Sequence, residues 1–160
     1  MPKKSAGLLL FRKRLTVGLE VFLVHPGGPF WAKKDDGSWS IPKGEFAEDE
    51  DPLEAAKREF QEETSLRVAG PFYPLEPARQ PGGKIVYVWA ARADLDASAI
   101  RSNTFTIEWP RNSGKMREFP EVDRAEWFPI DQARRKILRG QVVFLDKLQA
   151  ADFCLEAPAQ

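Results

Sequence analysis

Cysteine and histidine are almost missing from this chain: there is one of each, Cys154 and His25. A lone cysteine excludes an intramolecular disulfide and any zinc site built on cysteines, and it suits a reducing compartment. A lone histidine excludes chemistry built on a histidine pair or cluster. His25 falls at the end of a strand-like run and reads as a structural residue rather than a catalytic one. Net charge is also missing, since 24 Lys and Arg balance 24 Asp and Glu. That balance argues against a general nucleic-acid coat protein or a polybasic membrane binder, while leaving room for a local basic pocket. No run approaches the roughly 20 apolar residues of a membrane helix. The apolar run from Ala6 to Phe11 is too short for a signal-peptide core and meets Arg12, Lys13 and Arg14 at once. No repeat or low-complexity linker interrupts the sequence. We therefore expect a cytoplasmic protein with no membrane partner.

What remains is ordinary globular composition, with 42% hydrophobic and 30% charged residues in 160. That length suits one domain, residues 1–160, with a sizeable core. Ala6 to Phe11 and Leu19 to His25 read as strands, Trp39 to Ile41 as a short one after the Asp35-Asp36-Gly37-Ser38 turn, and Lys84 to Ala91 as the clearest of all. Phe105 to Trp109 and Ala125 to Phe128 are further strand candidates. Pro110 to Pro120 between them reads as a polar loop carrying Arg111, Lys115 and Arg117. Asp131 to Leu138 reads as a helix capped by Asp131, and Gln141 to Phe153 as another. Strands with helices interspersed point to the α/β class, a mixed sheet between helices. The five tryptophans read mainly as core or edge residues, and Cys154 as inert packing.

The informative stretch is Gly44 to Leu66, GEFAEDEDPLEAAKREFQEETSL. Asp51-Pro52-Leu53-Glu54 is a helix start: a capping Asp, a proline at the first helical position and an acid where a capping box places one. At 100° per residue, Ala56, Phe60 and Thr64 fall within about 60° of Leu53 and form the core stripe with it. Glu59, Glu62 and Glu63 gather on a neighbouring face about 100° wide. Glu54 and Arg58 are spaced to pair. Glu59 and Glu63 are four apart with like charge, which costs a few tenths of a kcal/mol. A helix shaped only for stability has little reason to carry that pair. A divalent cation among the carboxylates relieves the repulsion, and a cation held by carboxylates commonly handles phosphates.

Gly44, Glu50, Arg58-Glu59-Phe60, Glu62-Glu63 and Leu66, in this spacing, resemble the Nudix box, and the order of strands and helices is loosely similar to the Nudix fold over most of the chain. One position departs: Ser65 stands where the family usually has Gly. The site lies just past the helix, where a left-handed backbone costs a non-glycine residue roughly 1 kcal/mol. The resemblance implies a Nudix-like mixed sheet sandwiched between helices. It implies metal-dependent hydrolysis of a pyrophosphate bond in a nucleoside-diphosphate-linked compound, with Mg²⁺ or Mn²⁺ as cofactor. It also implies metal ligands Glu59, Glu62 and Glu63 with a backbone carbonyl at or beside Gly44, and Glu50 and Arg58 bracing the loop onto the helix.

The base that takes the proton of the attacking water stays open between Glu62 and Glu59 and, from a later loop, Glu118 or Glu121. Lys43 in Ile41-Pro42-Lys43-Gly44-Glu45 is placed to meet a phosphate as a point charge. Arg111, Lys115 and Arg117 are candidates for a cationic lid. The partner implied is a small phosphorylated molecule, a dinucleoside polyphosphate or nucleoside triphosphate. The residues leave open a diphosphoinositol-type compound, a nucleotide sugar, or a nucleotide-binding sensor that does not cleave.

Overall fold

The computed structural model describes residues 2–156. In chain order its elements are β1 (Lys4–Arg14), β2 (Gly18–Pro26), β3 (Lys43–Glu45), α1 (Pro52–Thr64), β4 (Tyr73–Pro74), β5 (Ala78–Arg79), β6 (Ile85–Arg92), β7 (Thr104–Glu108), β8 (Met116–Pro120), β9 (Val122–Pro129), α2 (Ile130–Lys136), α3 (Val142–Ala150) and α4 (Asp152–Glu156). The main sheet runs β4-β6-β1-β2-β9, with β3 on β1 and β5 on β6. β1 pairs parallel with β6 and antiparallel with β2 and β3, so the sheet is mixed. Among the described residues no helix is long and apolar enough to cross a membrane.

Strand β1 shows why helices cover both faces. It is apolar without alternation because both of its sides are buried. Ala6, Leu8 and Leu10 face a core shared with Phe22, Ala55 and Phe60. Leu9 and Phe11 face a second core with Trp39, Phe144 and Leu145. α1 covers the first face. Phe60 is almost fully buried and meets Phe22 with ring centroids 6.0 Å apart. Burying that one ring contributes about 1.5–3 kcal/mol, which outweighs the repulsion of a like-charged pair on the neighbouring face.

Several sequence expectations change. Pro110 to Pro120 is not all loop: Met116–Pro120 forms β8 and pairs with β7 in a separate two-stranded sheet. Met116, Arg117, Glu118 and Pro120 are exposed, so the strand has no apolar alternation to betray it; its pairing with β7 makes it. Asp131 does not cap α2. The chain passes from β9 into the helix through Pro129, which makes no side-chain cap bond, and Asp131 sits in the first turn. That helix stops at Lys136 because Ile137 is extended and bridges Trp39 in parallel. The helix expected over Gln141 to Phe153 is broken at Ala151, which is extended between α3 and α4. Trp39 and Ser40 make single bridges rather than a strand.

The short strand β3 sets the position of the loop and helix after it. Its Gly44 lies opposite Ala6 and its Lys43 opposite Gly7. A Cβ on Gly7 would overlap the Pro42 carbonyl oxygen and come within 2.6 Å of the Lys43 Cβ. Gly7 thus lets β3 close onto β1. We expect Gly7→Ala to destabilise the protein by about 1–3 kcal/mol, the usual cost of overpacking. Urea unfolding measures it, and an unchanged midpoint would show that β3 is free to move away.

Candidate metal and phosphate site

The helix that carries the acidic face begins and ends as its sequence dictates. The Asp51 carboxylate accepts a hydrogen bond from the Glu54 N–H at 3.0 Å, and Pro52 follows at the first helical position. Ser65 ends the helix with φ 64°, in the left-handed region. Its hydroxyl donates to the Arg101 carbonyl at 2.5 Å, a bond that glycine cannot make and that offsets the backbone cost. Ala55, Ala56, Phe60 and Thr64 are the buried face; Leu53 is half-buried beside them. The expected Glu54–Arg58 pair does not form. Glu54 pairs with Lys57 at 3.1 Å, because Arg58 turns the other way toward Glu50.

Arg58 organises the acids. Its Nε and Nη2 donate to the two oxygens of Glu50 at 2.9 and 3.2 Å, a bidentate clasp across the loop before α1. Its Nη1 donates to Glu59 at 2.9 Å and to Glu62 at 3.2 and 3.3 Å. The guanidinium holds the Glu50 carboxyl below its usual range, and its own pKa is pushed upward, chiefly by Glu50. Two of the three acids expected to bind metal, Glu59 and Glu62, thus share one hydrogen-bonded network with the pair expected to brace the loop.

Gly44 lies under that network. A Cβ there would overlap the Glu59 carboxyl group, so only glycine lets this acid rest against β3. Burial raises the Glu59 pKa; Arg58 opposes the shift, and the charges of Glu62 and Glu121 add to it. Glu63 goes further. Burial, then the charges of Glu59 and Glu121, lift it from the ordinary 4.5 to about 8, against Lys43, whose backbone N–H also donates to its carboxylate. Burial and the like charge of Lys84 push the Lys43 ammonium downward.

As the side chains stand, no three Asp, Glu, His or Cys among the described residues converge into a group that could hold a metal ion. The donor chemistry nevertheless fits a hard divalent cation. The site offers only oxygen ligands, a glycine-shaped cradle beneath one of them, and two further carboxylates, Glu59 and Glu121, whose charges act on Glu63.

The later candidates separate. The charge of Glu121, at the break between β8 and β9, is felt by both Glu59 and Glu63. Glu118 is on exposed β8 opposite Thr106. Arg111 and Lys115 are exposed in the β7–β8 turn, and Arg117 stands over the Phe119 ring at 5.5 Å. The carboxylate of Glu108 orders that turn by accepting from the N–H groups of Asn112 and Gly114 at 2.9 and 3.1 Å. His25 is buried with both ring nitrogens engaged, by Asp123 at 2.8 Å and the Lys34 carbonyl at 2.7 Å, as a structural residue should be. Asn103 joins the site with no motif to announce it: its N–H donates to the Glu62 carbonyl at 2.9 Å and its own carbonyl accepts from the Glu121 N–H at 2.8 Å.

The NUDIX domain family model matches residues 1–148. Among solved structures, a Caenorhabditis elegans Ap4A hydrolase binary complex superposes with TM-score 0.63 at 22% identity, covering 92% of this chain and 96% of that one. The Nudix domain of Shewanella oneidensis NrtR, complexed with ADP-ribose, gives TM-score 0.64 at 18% identity, with 93% and 87% covered. A MutT/Nudix family protein from Listeria innocua gives 0.65 at 22%, with 97% and 99% covered. At these identities the likeness speaks for the fold.

The raised Glu63 pKa fixes a pH dependence. Between 4.5 and about 8 the folded, metal-free protein keeps a proton on Glu63 that the unfolded chain has lost, so stability falls as pH rises through that window. We expect the melting temperature in EDTA to decline from pH 5 to pH 8.5 relative to Glu63→Gln, and Mg²⁺ to restore it most at the alkaline end. Parallel curves for the two proteins would contradict the assignment.

Proposed function

The chain belongs to the Nudix family and is a pyrophosphohydrolase; from that premise we propose that it cleaves a phosphoanhydride bond in a nucleoside-diphosphate-linked compound in a reaction dependent on Mg²⁺ or Mn²⁺. The observation that carries this reading is the Glu59 carboxylate resting on Gly44 while Arg58 ties Glu59 and Glu62 to Glu50. Glu59, Glu62 and Glu63, with the carbonyl at Gly44, would hold the cation. When bound it neutralises phosphate oxygens and acidifies a coordinated water.

The chain's own residues divide the remaining work. Arg58 keeps the acidic face and the loop before α1 in fixed register. Glu59, Glu62 and Glu121 are the carboxylates available to accept the water proton, and the influence of the Glu121 charge on Glu59 and Glu63 favours it over Glu118. Lys43, half-buried on β3, meets a phosphate oxygen of the substrate. Arg111, Lys115 and Arg117 extend a cationic edge toward a longer phosphate chain. Dinucleoside polyphosphates and nucleoside triphosphates head the substrate classes to test, followed by ADP-ribose, nucleotide sugars and diphosphoinositol-type compounds.

Assay of that panel with Mg²⁺ and with chelator, identifying products, separates hydrolysis from binding without cleavage. Reaction in ¹⁸O water identifies the phosphorus attacked. Glu63→Gln should lower turnover at least ~100-fold, since losing a ligand mispositions the cation. Its fold should hold, because the amide imitates the protonated carboxyl favoured in the metal-free state. A variant retaining near-wild-type turnover would contradict the ligand assignment.

A further inference from the structure

Glu121 is exposed and belongs to no strand, yet its backbone is fixed on every side. Its N–H donates to the Asn103 carbonyl at 2.8 Å, and its carbonyl accepts from the Gly27 N–H at 2.9 Å. The next N–H, of buried Val122, donates to the Ser102 hydroxyl at 3.1 Å. That hydroxyl in turn donates to the Asn103 carbonyl at 2.8 Å. Ser102 therefore holds the Glu121–Val122 peptide directly, and through the Asn103 carbonyl it shares an acceptor with the Glu121 N–H on the other side of that side chain. Gly27 completes the grip from the other side, since a Cβ there would overlap the Pro120 carbonyl oxygen.

The same segment is fastened to α1. A helix leaves its last carbonyls without intrahelical partners. Here the Glu62 carbonyl accepts from the Asn103 N–H and the Thr64 carbonyl from the Arg101 N–H, each at 2.9 Å, while Ser65 adds its hydroxyl bond to the Arg101 carbonyl. Asn103 thus spans the gap directly, with one side on the residue whose carboxylate faces Arg58 and the other on Glu121.

We infer that Ser102 is a positioning residue: its hydroxyl locks the Arg101–Asn103 strap so that Glu121, carried by a different part of the chain, is held in register with the acidic face of α1 as one cation-binding unit. The inference rests on the metal-dependent reading above. A carboxylate on a short interstrand break has no rigidity of its own. Register with a helix that ends at Thr64, far earlier in the chain, requires a connection, and among the described residues the strap supplies one by hydrogen-bonding to both. Loss of such an outer support typically weakens metal affinity about 10–100-fold.

The test is a double-mutant cycle read by Mn²⁺ binding, with the free Mn²⁺ signal followed by electron paramagnetic resonance and no substrate present. Ser102→Ala should weaken Mn²⁺ binding about tenfold, Ser102→Thr should bind within about twofold of wild type because it keeps the hydroxyl, and Glu121→Gln should weaken binding at least as much as Ser102→Ala. In the Glu121→Gln background, Ser102→Ala should cause no further loss, because its effect passes through Glu121. Equal losses in both backgrounds would overturn the inference, as would wild-type affinity in Ser102→Ala or in Glu121→Gln. Those results leave the proposed function standing, provided Glu63→Gln abolishes Mn²⁺ binding. A wild-type protein that binds no Mn²⁺ sinks both.

Discussion

The architecture around the site depends on one opposition. Helix α1 is pressed against the sheet by Phe60 and its small apolar neighbours, and that packing leaves Glu59 and Glu63 only partly in contact with water. Burial disfavours their charged forms. The protein answers with three devices: a glycine that makes room for Glu59, an arginine that ties Glu59 and Glu62 to Glu50 across the loop, and the Lys43 backbone N–H directed at Glu63. None gives Glu63 a charged partner strong enough to offset burial, so it holds its proton until a cation can take its place.

The parts of the site legible in the sequence are the local ones. Asp51 as a helix cap follows from the local sequence, and the left-handed backbone at Ser65 from the family pattern that has Gly there; both stand as expected. So does the association of Arg58 with Glu50, which the family pattern supplied. The side-chain partner of Glu54 did not follow from spacing. Arg58 has five N–H donors and a better bidentate acceptor in Glu50, so the three-dimensional loop outcompeted the helical i,i+4 preference.

What the sequence concealed depends on long-range backbone pairing. β8 carries no alternating pattern because its surface is largely exposed, and its existence follows from the neighbouring β7. The choice between Glu118 and Glu121 turns on a break between two strands, invisible without knowing that β8 and β9 belong to different sheets. Asn103, Ser102 and Gly27 act through peptide groups and a hydroxyl, so nothing in their residue types distinguishes them from ordinary loop residues. The Nudix box therefore describes half of this site, and the other half is assembled by hydrogen bonds between segments the motif does not contain.

A cation held by the acidic face of helix α1 is the arrangement proposed for this cluster. Anomalous diffraction from a crystal soaked in Mn²⁺ tests it. A peak bounded by the carboxylates of Glu59, Glu62 and Glu63, with the Arg58–Glu50 clasp intact, is expected. An absence of density there at saturating Mn²⁺, or a peak confined to acids elsewhere on the surface, would contradict it.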